Sequence, residues 1–424
     1  MGTAGADHDV VVVGGGPSGA ACAYWLADAG HDVLLLEKKR YPREKTCGDG
    51  LTPRSVKQLH DLGLAEDLAG HHRFSGLRSI AFGRTLELEW PSHPDFPDFG
   101  YVVTRKDLDH LVAQRAVKAG AALWEETEAT APVTSDGVLS GVRVKRKAGP
   151  VPSGAPVTEE VSAGYVVVAD GANSRFGRAM GTSRNKAYPM GMAIRGYYES
   201  PRHDEPWIES HLDIRDRRGN VLPGYGWIFP VGDGRVNVGV GLLSTFNQWK
   251  DVNTSHLMDA FAHHAPASWE INEDTSCGPP TGGRLPMAFS VGPRIGPNHV
   301  VIGDAGAGIN PFNGEGIAYA YETGRMAAEA VGAALTGGGA AALAEYERRL
   351  QDEYGLYYRV ARAFVHIIGR PQLMRALVST GMRSRSLMEW MLRIMANLLR
   401  PDELGPAEAA YKAVAAMARL APSR

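Results

Sequence analysis

Residues 10–13, VVVV, form a short β-branched run closed by Gly14, the pattern of a parallel strand covered on both faces. From Pro17 to Ala29 the apolar positions take helical spacing, Gly30 stops that helix, and VLLL at 33–36 supplies a second buried strand. Strand, helix and strand within about 30 residues make one β-α-β unit. A further helix is predicted over about 105–119, leading through Gly120 to another short strand. Residues 141–160, rich in Pro, Gly and Lys, read as a hairpin or a flexible loop, after which YVVVAD at 165–170 returns to the first sheet. Between 186 and 284 the period changes to alternation, as in GYGWIFPVGDGRVNVGVG, and predicts an antiparallel sheet. VVIGDAG at 300–306 is strand and turn again, a long helix follows to about 332, and everything from 341 onward has helical spacing. The class is α/β: a nucleotide-type fold interrupted by an antiparallel sheet and followed by helices.

Composition narrows this picture. A chain of 424 residues suits two interleaved domains and a tail, and 51 glycines indicate many tight turns and close backbone approaches. The formal net charge of −2 gives no electrostatic case for nucleic acid. Three cysteines (Cys22, Cys47, Cys277) provide neither a disulfide framework nor a C-x-x-C metal spacing, so the expected setting is reducing and cytoplasmic, without metal. The N-terminus has no basic n-region and no apolar stretch approaches about 18 residues, so neither a signal peptide nor a transmembrane helix is expected.

Gly14-Gly15-Gly16-Pro17-Ser18-Gly19 is a G-x-G-x-x-G between a strand and a helix. Its glycines permit the tight turn and bring a pyrophosphate onto the helix N-terminus. Glu37, with Lys38 beside it, closes the second strand where an acid binds ribose hydroxyls, which favours a ribose without a 2′-phosphate. The candidate nucleotide residues here are therefore Gly14, Gly16, Ser18, Gly19, Glu37 and Lys38.

Two distant segments extend the motif: Asp170-Gly171-Ala-Asn-Ser174, and Gly303-Asp304 trailed by Asn310-Pro311-Phe312-Asn313-Gly314-Glu315-Gly316. With them, residues 8–335 resemble the flavoprotein group that includes para-hydroxybenzoate hydroxylase. The resemblance implies FAD, with Asp304 on the ribityl chain and backbone N–H groups near Gly314, Gly316 and Ile317 facing the flavin pyrimidine edge. It also matches Arg105 to an arginine near the cofactor, although a surface salt bridge is an equal reading of that residue alone. The implied division is a discontinuous FAD-binding domain (1–80, 100–185, 285–335), a substrate-binding sheet domain (81–99, 186–284) and a C-terminal helical segment (336–424).

Within that group, Tyr41-Pro-Arg-Glu-Lys-Thr-Cys47-Gly48-Asp-Gly50 and Tyr225-Gly-Trp227-Ile-Phe229-Pro230 resemble the geranylgeranyl reductase family. CGDGLTPRSV and LMEWMLRIMANLLRPDELGP are most similar to its actinobacterial branch, which reduces menaquinone side chains. The implied activity is saturation of prenyl C=C bonds. An unpolarised alkene needs a proton delivered as hydride arrives, in a dry site shaped for an apolar chain. By resemblance Cys47 and Gly48 lie at the flavin, and Cys47 is the proton donor, a residue that shapes the site or gates flavin redox, or a small buried residue. Tyr225, Trp227 and Phe229 share one strand face. They either line an apolar tunnel, Tyr225 and Trp227 then joining Cys47 as catalytic candidates and Pro311 as a further substrate contact, or form core of the smaller domain. The rival readings are an NAD(P)H-dependent aromatic hydroxylase and a flavin-dependent halogenase. No second nucleotide fingerprint is present, so NADPH, a ferredoxin or another reductase remain open as electron donor.

From 361 to 400 arginines at 362, 370, 375, 383, 385, 393 and 400 face a single acid, Glu389. Leu387, Met388, Met391, Leu392, Met395, Leu398 and Leu399 recur at helical spacing. This is either a basic amphipathic foot on the inner face of the cell membrane, where a prenyl lipid or prenylquinone resides, or a helical cap on the nucleotide domain.

Overall fold

The computed structural model describes residues 6–420 apart from 136–137, 148–155, 217, 223, 247, 401–402 and 404. The first strand, His8–Val13, runs parallel to Val33–Leu36 on one side and to Val157–Val168 on the other. Ala122–Trp124 and His299–Val301 extend this parallel sheet at its two ends. Val10, Val11 and Val12 are fully buried because helices cover one face and a second layer the other, which a continuous apolar run requires. Helices Pro17–Asp28 and Ile317–Ala333 pack together on the first face, with Ala20, Leu26, Ala318 and Ala327 in one core.

The strand Val157–Val168 serves two sheets. Its second half is parallel to the first strand, while its first half pairs antiparallel with Val138–Arg146, itself paired with Thr127–Ser135. The region expected to be hairpin or loop, 141–160, thus contributes both arms of a hairpin, and residues 148–155 of it lie outside the described ones.

The second sheet has seven strands in the order Thr281–Pro286, Met190–Glu199, Arg235–Leu243, Gly224–Pro230, Trp207–His211, Gly76–Ala81, Arg84–Glu89. All its pairings are antiparallel except Trp207–His211 with Gly76–Ala81, where the chain re-enters from the nucleotide fold. The chain joins this sheet at Gly76, ahead of the expected boundary at residue 81, because Gly76–Ala81 is the strand that pairs with Trp207–His211. Alternation sorts its side chains. Ile194, Ile228, Val236, Val238 and Val240 form a core under helix Thr254–His264 and Trp269, a helix that the alternating pattern concealed. Tyr225, Trp227, Phe229, Asn237, Arg195 and Tyr197 occupy the opposite parity, toward the loop that carries Cys47.

Helical segments fill 339–395, and Pro406–Leu420 follows. The run Ile317–Ile368 is long and apolar enough, by length and composition alone, to cross a membrane. Its backbone leaves helical geometry at Thr336 and Gly337, and its first segment is committed to the core against Pro17–Asp28. Helix Arg385–Met395 buries Leu392, which with Ala396 and Leu398 just beyond the helix joins Leu88, Trp90 and Ile208, with Met388 packed alongside. Part of the apolar spacing in the tail is thus covered within the fold, by the second sheet.

Candidate functional site

The glycine turn after the first strand is fixed by sterics at two positions and open at a third. Gly14 has φ +107°, and a Cβ there would lie 2.5 Å from the carbonyl oxygen of Ala169. A Cβ on Gly19 would overlap the Gly14 carbonyl, so helix and strand approach closely only with glycine. At Gly16, and at Gly171 on the neighbouring loop, a Cβ would meet nothing within 4 Å. Ser18 is buried, its hydroxyl under Gly303. Beside the turn, Asp170 caps the short helix Arg175–Ala179 through Oδ2, which accepts from the Phe176 N–H at 2.9 Å, while its buried Oδ1 has no partner. Burial raises the Asp170 pKa against the pull of those hydrogen bonds.

Glu37 is buried, but its carboxylate is already engaged. It accepts from the Lys39 N–H at 2.9 Å and pairs with Arg43 at 2.8 Å. Arg43 also pairs with Asp109 at 2.7 Å and donates to the carbonyl of Gly15 at 3.2 Å, where the Tyr41 hydroxyl donates too. Lys38 is exposed and takes no part in this network, since the strand ends at Leu36 and the chain turns outward after Glu37. Arg105 is buried, not on the surface, and holds Asp109 in a two-point pair at 2.6 and 2.8 Å. An Asp four residues after an Arg was a readable helical signal for this pair. Arg43 had no such signal, because its partners come from a strand end and a distant helix.

A second cluster surrounds Asp304. Its carboxyl lies 3.3 Å from where a Cβ on Gly316 would sit, at the start of helix Ile317–Ala333. Burial raises its pKa, opposed by the charges of Lys45 and Arg105. Among the loop donors, the Gly314 N–H is spent on the Asn310 carbonyl (2.9 Å) and the Glu315 N–H on the Asn313 side chain (3.0 Å). The donors that the helix itself cannot satisfy are therefore those of Gly316, Ile317 and the next residues. Pro311 is buried in the same loop.

Cys47 lies between these clusters and the second sheet. Its carbonyl accepts from Asn237 Nδ2 at 2.9 Å and Arg195 Nε at 3.1 Å. Two residues on, Asp49 is fully buried at φ +64° and accepts from Asn237 Nδ2 (2.8 Å), the Tyr197 hydroxyl and the Arg105 N–H (3.2 Å). Burial lifts Asp49 from 3.8 to about 6, against these donors. Burial also pushes the Cys47 thiol up, Asp49 adds to that, and Arg105 opposes it.

Trp227 donates its indole N–H to Asn237 Oδ1 at 2.9 Å and lies over Gly239, where no side chain would fit. Phe229 packs on Gly48 and Gly50, and Tyr225 donates to the Asn313 carbonyl at 2.7 Å. Successive ring centroids along this strand are 5.8 and 6.3 Å apart. Gly226, between two of these rings, points the other way, where a Cβ would overlap Phe261. On the far side Glu315 accepts from Thr52 and from Ser55 (3.2 Å), and its second oxygen is buried without a partner. Burial lifts Glu315 to about 7. The sequence did not single out Glu315, Asn237, Asp49 or Lys45, because each acquires its role through a partner far along the chain.

The donor set suits a dinucleotide flavin. It offers an open glycine turn at a helix N-terminus, an acid at the end of the second strand, and three cations (Arg43, Lys45, Arg105) among buried carboxylates.

Comparison with known proteins agrees. A family model described as FAD binding domain matches residues 7–224. A menaquinone reductase of Mycolicibacterium smegmatis is 40% identical over 93% of this chain and 93% of its own length. Digeranylgeranylglycerophospholipid reductase 1 of Methanopyrus kandleri is 29% identical over 91% of this chain and 97% of its own. Among solved structures, a geranylgeranyl bacteriochlorophyll reductase-like protein of Thermoplasma acidophilum superposes with TM-score 0.77 at 22% identity, covering 96% of this chain and 99% of that one.

Proposed function

The chain belongs to the FAD-binding oxidoreductase family that includes these prenyl-lipid and menaquinone reductases, and from that premise we propose that it saturates C=C bonds in a prenyl chain, the menaquinone side chain first among candidates. Its cofactor is FAD. The observation that carries the reading is the aromatic wall Tyr225–Trp227–Phe229 laid against the Cys47–Gly50 loop, an apolar surface whose proton-bearing groups include one thiol and one phenol.

Bound FAD supplies the hydride to one alkene carbon. The residues then have separate tasks. Cys47 Sγ holds the proton for the other carbon, and burial with Asp49 nearby keeps that thiol protonated at neutral pH. Asn237 and Arg195 grip the Cys47 carbonyl and so fix where the thiol sits. Trp227 and Phe229 exclude water and orient the chain. Tyr225, lifted to about 12 by burial with Cys47 and Glu315 adding, stays protonated and anchors the Asn313–Gly316 loop. Arg43 and Glu37 would hold the adenosine side, and the open turn at Gly16 would take the pyrophosphate. Two electrons per bond come from NADPH or a redox protein.

A lipid substrate requires approach to a membrane, and the large apolar side chains most exposed in the basic segment lie on and beside helix Pro371–Gly381. Leu373 and Leu377 there are 40% and 49% exposed, and Ile367 at the end of the preceding helix is 46% exposed. Arg370, Arg375 and Arg383 lie close to them in sequence, and the chain contains no acid from Leu356 to Met388. Exposed apolar side chains in an arginine-rich, acid-free segment suit an anionic inner leaflet.

The test is to supply flavin-loaded protein with chemically reduced cofactor and menaquinone in detergent, and to fragment the product by mass spectrometry. A gain of two mass units confined to side-chain fragments is expected. A product changed only in the ring, or an oxygenated or halogenated aromatic formed from a phenol in the same assay, would overturn the reading.

A further inference from the structure

A cavity of about 320 Å³ lies away from the flavin site, where the short strand pair Ser183–Arg184 and Val291–Gly292 meets the C-terminal helices. Arg184, Tyr188, Ser290 and Arg294 line it, with Ser183 and Asn185 at its edge. The charges around it are unbalanced. Arg294 is neutralised by Glu347 and spends its remaining donors on the carbonyls of Phe289 and Val291. Among the described residues Arg184 meets only carbonyls, of Asn185 at 3.4 Å and Tyr188 at 3.1 Å. Arg362 stacks on the Tyr188 ring at 4.3 Å, and no described acid pairs with it or with Arg359. Burial lowers the Arg362 pKa; Tyr188 opposes this and Arg359 adds to it, as expected of a guanidinium that lacks a counter-ion. Ser290, 3% exposed, has a buried hydroxyl without a partner in this cavity wall.

We infer that this cavity binds the phosphate group of an anionic lipid headgroup, through Arg184 and the Ser290 hydroxyl, with Arg362, stacked on the lining Tyr188, adding positive charge beside it. Phosphate supplies the acceptor that Ser290 lacks and the charge that the arginines lack. A lipid source is favoured by helix Leu356–Ile368. Its Arg359, Arg362 and His366 recur at helical spacing, with Arg370 just beyond, and lead toward exposed Ile367, Leu373 and Leu377. From Arg362 to Ile367 is about 7.5 Å along a helix, roughly the step from a headgroup to the acyl boundary. The assignment of source rests on the membrane approach proposed above, whereas the phosphate chemistry does not.

The test uses flavin-loaded full-length protein with three probes: phosphatidylcholine vesicles with or without phosphatidylglycerol, soluble glycerol 1-phosphate, and NADPH against NADH. The variants are Arg184→Ala with Arg362→Ala, Ser290→Ala, and Leu373→Ser with Leu377→Ser. Phosphatidylglycerol vesicles should bind the wild type, and the double arginine variant about thirtyfold more weakly, with its residual binding to phosphatidylcholine unchanged. Glycerol 1-phosphate should bind saturably and lose binding in the arginine and serine variants but not in the leucine variant. Retention of glycerol phosphate binding together with loss of all vesicle binding in the wild type would refute the lipid source, along with the membrane reading. Absence of saturable glycerol phosphate binding, with vesicle binding insensitive to Arg184 and Arg362, would refute the site and leave the membrane reading standing. Arginine-dependent preference for NADPH over NADH, with no response to phosphatidylglycerol, would reassign the cavity to a dinucleotide phosphate.

Discussion

Replacing Asp49 by Asn tests the electrostatics of the Cys47 loop directly. Asp49 is fully buried, and burial outweighs its hydrogen bonds from Tyr197, Asn237 and the Arg105 N–H, lifting its pKa from 3.8 to about 6. An acid whose folded pKa is raised binds its proton more tightly when folded, so stability falls as pH rises from the unfolded value toward the folded one. The difference of about two pKa units amounts to about 3 kcal/mol in full, of which about 2 kcal/mol falls between pH 4.5 and 7.5. Asn removes the titration while its carbonyl can still accept from Tyr197 and Asn237, although its amide then faces the Arg105 N–H. The variant therefore carries a constant hydrogen-bond penalty of about 1–2 kcal/mol. Against that constant, it should gain about 2 kcal/mol relative to wild type from pH 4.5 to 7.5. Urea unfolding midpoints of both flavin-loaded proteins across that range provide the assay. A difference between them that is flat in pH, or that grows in favour of wild type, would refute the account of Asp49.

The glycine turn separates fold from cofactor: Gly14→Ala and Gly19→Ala should fail to fold, whereas Gly16→Ala should fold with a near-native thermal midpoint and lose bound flavin on dilution. Equal flavin retention in Gly16→Ala and wild type would show that the open side of the turn does not face the cofactor. Arg43→Ala leaves Glu37 and Asp109 short of a buried cation, so about 3 kcal/mol of stability should be lost even without flavin, measured by denaturant titration of the apoprotein. Cys47→Ala should keep its flavin content and lose roughly 100-fold in kcat for alkene reduction, and an unchanged kcat would remove Cys47 as proton donor. Glu315 is neutral below about pH 7 and gains charge above it, so FAD affinity should weaken a few-fold from pH 6 to pH 8 in wild type and stay level in Glu315→Gln. Parallel pH curves for the two proteins would sink that expectation.

The sequence by itself determined whatever local sterics and period control. The VVVV–glycine turn–helix unit is encoded by contacts between near neighbours, since Gly14 and Gly19 touch one another across a single turn. The alternation through Tyr225, Trp227 and Phe229 likewise dictates that three rings share a face, because strand geometry permits nothing else. The apolar spacing of helix Arg385–Met395 was legible too, but not what it would meet. An apolar stripe records only that something covers it; the spacing left a bilayer and a helical cap both open, and the tertiary structure supplied Leu88 and Trp90 as cover for Leu392. The same limit explains the site. Asn237 joins Cys47, Asp49 and Trp227 only because a hairpin sets Trp227 opposite Gly239 and the sheet then docks on a loop almost two hundred residues earlier. Arg43 and Glu315 acquire their partners in the same way. Residue type and period are properties of a segment, whereas hydrogen-bond partners, burial and the pKa shifts that follow from them belong to the assembled fold.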